Sequence, residues 1–185
     1  RCILIPLQNR RTIHSGLITT GTAVCVVRTL QQFFPDEDFR VKWVNDILVH
    51  DKKCGGILTE TISSLEDGLH ENVVVGIGLN IDSTDFPDQI AHKAGAIVTN
   101  TAIDKNRIAA SLIDNFFYMY QTYTSGNFLQ EYAKLSETLG KRVQIVMGNR
   151  TITGLADRFT GDGALVVKQD SGEPITVSSG EVTKV

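Results

Sequence analysis

The sequence predicts an α+β protein in two parts, a sheet with helices over residues 1–138 and a small all-β unit over residues 139–185. Three observations lead to that reading. A stripe at Ile108, Ala109, Leu112, Ile113, Phe116, Phe117 and Tyr120 has the spacing of a helix with one apolar side. The run Val73-Val74-Val75-Gly76-Ile77-Gly78-Leu79-Asn80-Ile81 alternates as a strand does. Beyond Gly140, short apolar runs are separated by turn signals about every ten residues, the pattern of a small barrel or meander. Length agrees, since 185 residues make about 1.2 domains at roughly 150 residues each, enough for one medium core and a small appendage.

In chain order, residues 2–7 form a short strand. Their near-continuous apolarity predicts burial on both faces, and Pro6 predicts an edge or a strand end. Residues 15–34 read as a helix, weakened by Gly21 and several threonines and ended by Pro35. Residues 41–58 read as two strands joined by a polar turn at His50-Asp51-Lys52, and residues 61–72 as a loop. After strand 73–81, residues 82–100 have mixed polarity and a proline, so they read as a long irregular connection. Asp104 caps the helix that carries the apolar stripe. Asn127 with Gln130 resembles a capping box for a shorter helix ending near Leu135. The strands of the second part fall at 143–147, 151–159, 164–168 and 175–177.

Composition narrows the function. With 42% hydrophobic and 21% charged residues the chain is an ordinary globular protein, and its net charge of −3 argues against a general polyanion-binding surface. Cys2, Cys25 and Cys54 are odd in number and widely spaced, with no C-x-x-C pair for zinc or redox chemistry, which points to a reducing cytoplasm. No apolar run approaches the roughly 20 residues that span a bilayer, and no signal peptide is visible, so no membrane is expected as a partner. The chain opens on Arg1 directly into an apolar run, from which a preceding segment is expected.

Three stretches carry candidate chemistry. In the strand 73–81, Val75, Ile77, Leu79 and Ile81 share one face, while Gly76, Gly78 and Asn80 share the other and leave it bare. Glycines in register inside a strand suggest that something lies against the backbone, either a ligand addressed by Asn80 or a helix or ring of the protein itself. There is no third glycine at the dinucleotide offset, so a Rossmann site is excluded. In Lys42-Trp43-Val44-Asn45-Asp46-Ile47-Leu48-Val49, the pair Asn45-Asp46 interrupts two apolar blocks. It is either a polar group placed on a dry face, which needs a partner, or a local Asx turn. In Lys52-Lys53-Cys54-Gly55-Gly56-Ile57-Leu58, free backbone N–H groups beside an ammonium could cradle an anion; the alternative is a hairpin tip with solvated lysines. Cys54 and His50 lack a third orienting group for nucleophilic catalysis, and His14, His70 and His92 are scattered.

In their order and spacing, Lys42-Trp43-Val44-Asn45-Asp46, Lys53-Cys54-Gly55-Gly56-Ile57-Leu58-Thr59-Glu60 and Val75-Gly76-Ile77-Gly78-Leu79-Asn80-Ile81 closely resemble the catalytic domain of biotin protein ligases. Gly161-Asp162-Gly163-Ala164-Leu165 and Gly180-Glu181-Val182 resemble the small C-terminal barrel of that family, of Src-homology-3 type. The resemblance implies a mixed sheet with helices on which biotin and ATP lie side by side. Biotin is first activated as biotinyl-adenylate and then passed to a lysine of a carboxylase's biotin carrier domain. It implies that Lys53 contacts the biotin carboxylate and the reacting phosphate, and that Asp46 either accepts a proton from the incoming lysine or helps hold Mg²⁺. It further implies that Asn45 and Asn80 address the nucleotide, that Gly76 and Gly78 let it approach, that Gly55 and Gly56 border the biotin pocket, and that Trp43 is a supporting wall. Lipoate or octanoate transfer on the same fold, or a non-catalytic module that binds biotin or a carrier, are the alternatives.

The family usually has proline where Val44 stands. Its Gly-Arg-Gly-Arg loop, which precedes the first strand and folds over biotin and adenylate, finds no counterpart in residues 1–185. The chain is therefore expected to be a fragment, to be preceded by further residues, or to be a degenerate relative. The winged helix by which some members bind DNA has no counterpart here either, so repressor activity is not expected. Some members form homodimers through sheet edges and others stay monomeric.

Overall fold

The computed structural model describes residues 2–6, 13–82, 85–98 and 103–184; Leu7, the end of the first apolar run, lies outside them. The chain runs β1 (Cys2–Pro6), α1 (Ser15–Phe33), β2 (Phe39–Lys42), β3 (Asp46–Val49), β4 (Lys52–Ser63), β5 (His70–Leu79), α2 (Asp88–Ala91), α3 (Lys105–Tyr120), a 3-10 turn at Tyr123–Ser125 and α4 (Leu129–Leu135). It ends in β6 (Arg142–Met147), β7 (Arg150–Phe159), β8 (Leu165–Gln169), β9 (Pro174–Val177) and β10 (Glu181–Lys184). The strands form two sheets, in the orders β1-β5-β4-β3-β2 and β10-β6-β7-β8-β9. The ladders between these strands are antiparallel, and parallel pairing occurs at two isolated bridges, Val41 with Ser136 and Lys53 with Ala94.

Alternation gives the first sheet one dry face, on which Val41, Ile47, Ile57, Val75 and Ile77 are buried and across which α1 packs on β2, β3 and β4. Each such side chain stabilises the fold by roughly 1.5–3 kcal/mol. On its far side α1 packs against α3 and α4, so it is buried nearly all round and cannot be amphipathic. That position explains the small and hydroxylated residues that weaken it as a helix. A Cβ on Gly21 would lie 2.7 Å from Met119 Sδ and 3.0 Å from the Phe128 ring, so only glycine permits the approach. Thr22 donates to the Ile18 carbonyl, Thr19 donates to the Ser15 carbonyl and is hydrogen-bonded to the Thr59 hydroxyl, and Thr29 accepts from Asn115 Nδ2. These bonds satisfy the buried hydroxyls.

Several expectations are corrected. β1 is not buried on both faces: it is an edge strand in which Ile5 is buried and Leu4 is 61% exposed. Residues 41–58 contain three strands, because residues 43–45 form a turn between β2 and β3. Half of 61–72 is strand, leaving residues 64–69 as the loop, with Leu69 N–H donating to Asp67 Oδ1 and Gly68 at φ 67°. Apart from Ile62 the strand residues there are polar, which a composition argument mistakes for a loop. The Asn127–Gln130 box does not form. α4 starts at Leu129 after Phe128, whose ring is buried against Gly21, so packing rather than a polar cap sets its entry. Residues 82–100 include the short helix α2.

The cap at Asp104 and the turn at His50 and Asp51 are found as expected. Asp104 caps α3, accepting from the N–H groups of Asn106 and Arg107, a contribution of about 1 kcal/mol. His50 and Asp51, at φ 50° and 60°, close the β3–β4 hairpin as a two-residue turn. One buried cluster joins Trp43, Ile47 and Val75 of the first part to Val143, Ile145, Leu165 and Val177 of the second. Among the described residues no helix is long and apolar enough to cross a membrane.

Candidate functional site

The other face of the first sheet is the open one. Across it, the registers place Lys42 of β2, Asp46 of β3, Gly56 of β4 and Gly78 of β5 in one row, and Leu58, Gly76 and Cys2 in the next. The first row is polar at the β2–β3 end and bare at the β5 end. The second is bare in the middle and apolar on either side, with Leu58 57% exposed. A Cβ on Gly78 would meet no atom within 4 Å, and one on Gly76 only Cys2 and Leu58 at 3.8 Å. Neither a helix nor an aromatic ring of the described residues covers the strip.

Strict alternation would put Lys53 on the dry face with Gly55 and Ile57. A bulge prevents it. Between Ile47 and Leu48 of β3 the register on β4 advances from Gly55 to Lys53, so Cys54 is an extra residue. Lys53 is thereby turned onto the open face, where its Cε and Nζ lie 3.3 and 3.5 Å from a Cβ built on Gly56 and its ammonium is 2.5 Å from Asp46 Oδ1. The side chains of Lys53 and Asp46 are 48% and 20% exposed, so the pair faces solvent on the lysine side. The Lys42 ammonium and the Asn80 side-chain amide have no hydrogen-bonding or ionic partner among the described residues.

The turn that carries Asn45 and Asp46 is held from four sides. Asn45 Nδ2 donates to the Ile57 carbonyl at 2.8 Å, and Ile57 N–H returns a bond to the Asn45 carbonyl at 2.9 Å. Tyr132 Oη, on a fully buried ring of α4, donates to the Val44 carbonyl at 3.0 Å. Burial, and then the nearby Asp46 charge, push that phenol far above its ordinary range, so it remains a donor. Trp43 N–H donates to Thr138 Oγ1 at 3.0 Å and Trp43 Nε1 to the Gly163 carbonyl at 3.1 Å, which ties the turn to the second sheet's loop. The Trp43–Val44 peptide is cis.

The structure thus brings Lys53, Asp46, Gly56, Gly76 and Gly78 to one face, with Asn80 just past the end of β5, its backbone N–H donating to the Cys54 carbonyl. It places two of the expected residues elsewhere. Gly55 is buried on the dry face, where a Cβ would lie 2.6 Å from Leu79 Cδ2 and 2.8 Å from the Gly78 carbonyl, so close packing is its reason for being glycine. Trp43 is buried behind the turn and supports it without reaching the open face. Asn45 lies at the site, with its amide nitrogen engaged by Ile57. Sequence reasoning missed Tyr132 and the bulge at Cys54; the only signal for the bulge was the paired glycine after Cys54, which spoils alternation. Among the described residues no group of three His, Cys, Asp or Glu side chains could hold a metal ion.

Cys54 is fully buried, and burial raises its thiol to about 12, as it does for Cys25. A thiol reagent at pH 8 therefore labels exposed Cys2 and spares Cys25 and Cys54 until the protein unfolds, as peptide mass spectrometry will show. Rapid labelling of all three in folded protein would contradict this burial. Because the folded value lies above the unfolded one of about 8.5, the stability these thiols contribute is complete below that pH and is lost as pH rises toward 12.

Comparison with known proteins adds independent findings. Residues 3–80 match the biotin/lipoate A/B protein ligase family, and residues 138–185 match the biotin protein ligase C-terminal domain. The chain is 29% identical over 153 residues to the biotin--[acetyl-CoA-carboxylase] ligase of Mycobacterium tuberculosis, covering 80% of this chain and 54% of that protein. To the bifunctional ligase/repressor BirA of Bacillus subtilis it is 28% identical over 177 residues, covering 91% and 51% respectively. The chain spans about half the length of the curated relatives it matches. In fold it is similar to the biotin protein ligase of Aquifex aeolicus. The apo structure gives a TM-score of 0.82 at 18% identity over all of this chain and 82% of that one. The complex with biotin and ATP gives 0.77 at 20% identity, over 100% and 77%.

Proposed function

We propose that the protein carrying this chain, whose residues 3–80 match the biotin/lipoate A/B protein ligase family and residues 138–185 the biotin protein ligase C-terminal domain, activates biotin with ATP and transfers it to a lysine of a carboxylase's biotin carrier domain. The observation that carries this reading is the open face itself: an ion-paired ammonium, Lys53, stands beside a strip of bare backbone that leads to apolar Leu58. Such a surface suits an acyl chain whose carboxylate must meet a phosphate. In the first step a biotin carboxylate oxygen attacks the α-phosphorus of ATP and pyrophosphate leaves. Lys53 stabilises the negative charge that develops on the phosphorane oxygens. In the second step the carrier's lysine amine attacks the acyl carbon, AMP leaves with the bonding electrons, and a proton is lost from the amine.

Asp46 is the carboxylate placed to take that proton or to contribute to holding Mg²⁺. The donor set fits an ion bound mainly by ATP's own phosphates, with Asp46 as the only protein carboxylate in the row. Mg²⁺ would neutralise phosphate charge there. Asn80 and the free oxygen of Asn45 address the nucleotide, and Gly56, Gly76 and Gly78 let it approach the strands. Residues 1–138 then form the catalytic domain and 139–185 the barrel that grips Trp43. The free thiols favour a reducing cytoplasm.

The test is isotope exchange. The protein carrying this chain, incubated with ATP and labelled pyrophosphate, should exchange label when biotin is added and much less with lipoate or octanoate. Carrier domain should gain the mass of one biotinyl group. Exchange driven by lipoate instead would reassign the acyl substrate, and no exchange with any acid would leave a binding module.

A further inference from the structure

β5 leaves the sheet after Leu79, and the backbone of residues 93–98 takes its place beside the start of β4. Lys53 N–H donates to the Lys93 carbonyl at 2.7 Å, and the Lys53 carbonyl accepts from Gly95 N–H at 3.0 Å. The same segment then reaches the neighbouring strand end. Ile97 N–H donates to the Asn80 carbonyl and Val98 N–H to the Ile81 carbonyl, both at 2.9 Å, while Asn80 N–H donates to the Cys54 carbonyl at 2.7 Å. One short strap therefore fixes the backbones of Lys53 and Asn80, from two strands, at once. Its near end is anchored on α2, whose Ile90 carbonyl accepts from Lys93 and Ala94 N–H at 2.8 Å each.

The strap lies on the edge of β4 opposite β3. Lys53 sits directly behind the bulge, paired with Leu48 on one side, and the strap holds its other side. The strap must also come close. A Cβ built on Gly95 would be 2.9 Å from Lys52 Cβ and 3.2 Å from Lys52 Cδ, so residue 95 can bond to Lys53 only if it has no side chain.

We infer that Gly95 is a positioning residue for Lys53: by letting residues 93–95 lie flat against Lys52, it holds the Lys53 peptide so that the ammonium points to Asp46 and the glycine strip. The catalytic consequence rests on the proposed adenylation. A displacement of the ammonium by about 1 Å is enough to cost on the order of 100-fold in rate.

Two measurements test this, one of which needs no activity. The variants are Gly95→Ala and the double variant Lys52→Gly/Gly95→Ala, which removes the opposing Cβ. The first readout is biotin-dependent pyrophosphate exchange; the second is the rate at which an amine-acylating reagent modifies Lys53, with Lys168 as internal control. Gly95→Ala should lower kcat about 10-fold or more with KM for biotin within about two-fold, and change Lys53 labelling several-fold while leaving Lys168 alone. The double variant should recover both. Unchanged turnover and labelling in Gly95→Ala, or a loss that the double variant does not reverse, overturns the inference. In unaltered protein, Lys53 and Gly95 amides should be protected from hydrogen exchange; rapid exchange at both overturns it even if a variant fails to fold. Labelling that responds as expected in a protein without exchange activity would sink the proposed function and leave the positioning role standing.

Discussion

Lys53→Ala lowers biotin-dependent pyrophosphate exchange by about 100-fold or more, the usual loss when one electrostatic group is removed from a reacting centre. The site contains few other means of balancing the charge. On the open face Lys42 lies in the polar row and Lys53 beyond it, opposite Leu48, and Lys53 is the one turned by the bulge toward the glycine strip. The loss should be specific to chemistry. Lys53 and Asp46 form a pair that is half open to solvent, so removing it changes stability by about 1 kcal/mol or less, and the variant should melt cooperatively near the parent. Lys53→Arg keeps the charge and still fails to restore the parent rate, because a planar guanidinium cannot take the place of a compact ammonium between Asp46 and Gly56. Near-parental exchange in Lys53→Ala would remove this residue from the mechanism.

What could be read from the sequence and what could not divides along physical lines. The two faces of strand 73–81 were legible because alternation needs only the local chain, and the open strip at Gly76 and Gly78 follows from it. Asp104 was legible because a cap and its helix are neighbours in sequence. Asn45 and Asp46 were seen as an interruption, yet whether they formed an Asx turn or a buried polar group could not be decided locally. The structure ends the turn at Asn45 and begins β3 at Asp46, and the Asn45 amide is bonded to Ile57 on another strand, not to its own turn. Gly55 and Gly56, adjacent and identical, could not be told apart without the bulge at Cys54, which is a property of pairing with β3. Tyr132 and Gly95 were invisible for the same reason: each acts on a site residue about 40 or more positions away, through a backbone carbonyl that no side-chain motif records.

That separation of the two glycines leads to the second large effect. Gly78→Val and Gly55→Ala should fail in opposite observables. At Gly78 a Cβ meets nothing within 4 Å and the backbone is ordinary strand, where a β-branched residue is favoured, so the valine variant folds with an unchanged or slightly higher Tm. Its side chain, however, stands on the strip where the nucleotide is proposed to lie. Affinity for ATP in the presence of biotin, measured by titration calorimetry, should fall at least about tenfold, which is 1.4 kcal/mol. At Gly55 the obstacle is the protein's own backbone: a Cβ would sit 2.8 Å from the Gly78 carbonyl and 2.6 Å from Leu79 Cδ2. Overpacking of that kind costs about 1–3 kcal/mol, so Gly55→Ala should melt several degrees lower while the folded fraction binds as the parent does. The two substitutions act on paired strands, at positions one register step apart, yet on opposite faces of one sheet. Parental binding by Gly78→Val would mean that the ligand does not lie on this strip. A parental Tm for Gly55→Ala would mean that the face assigned as packed has room to spare.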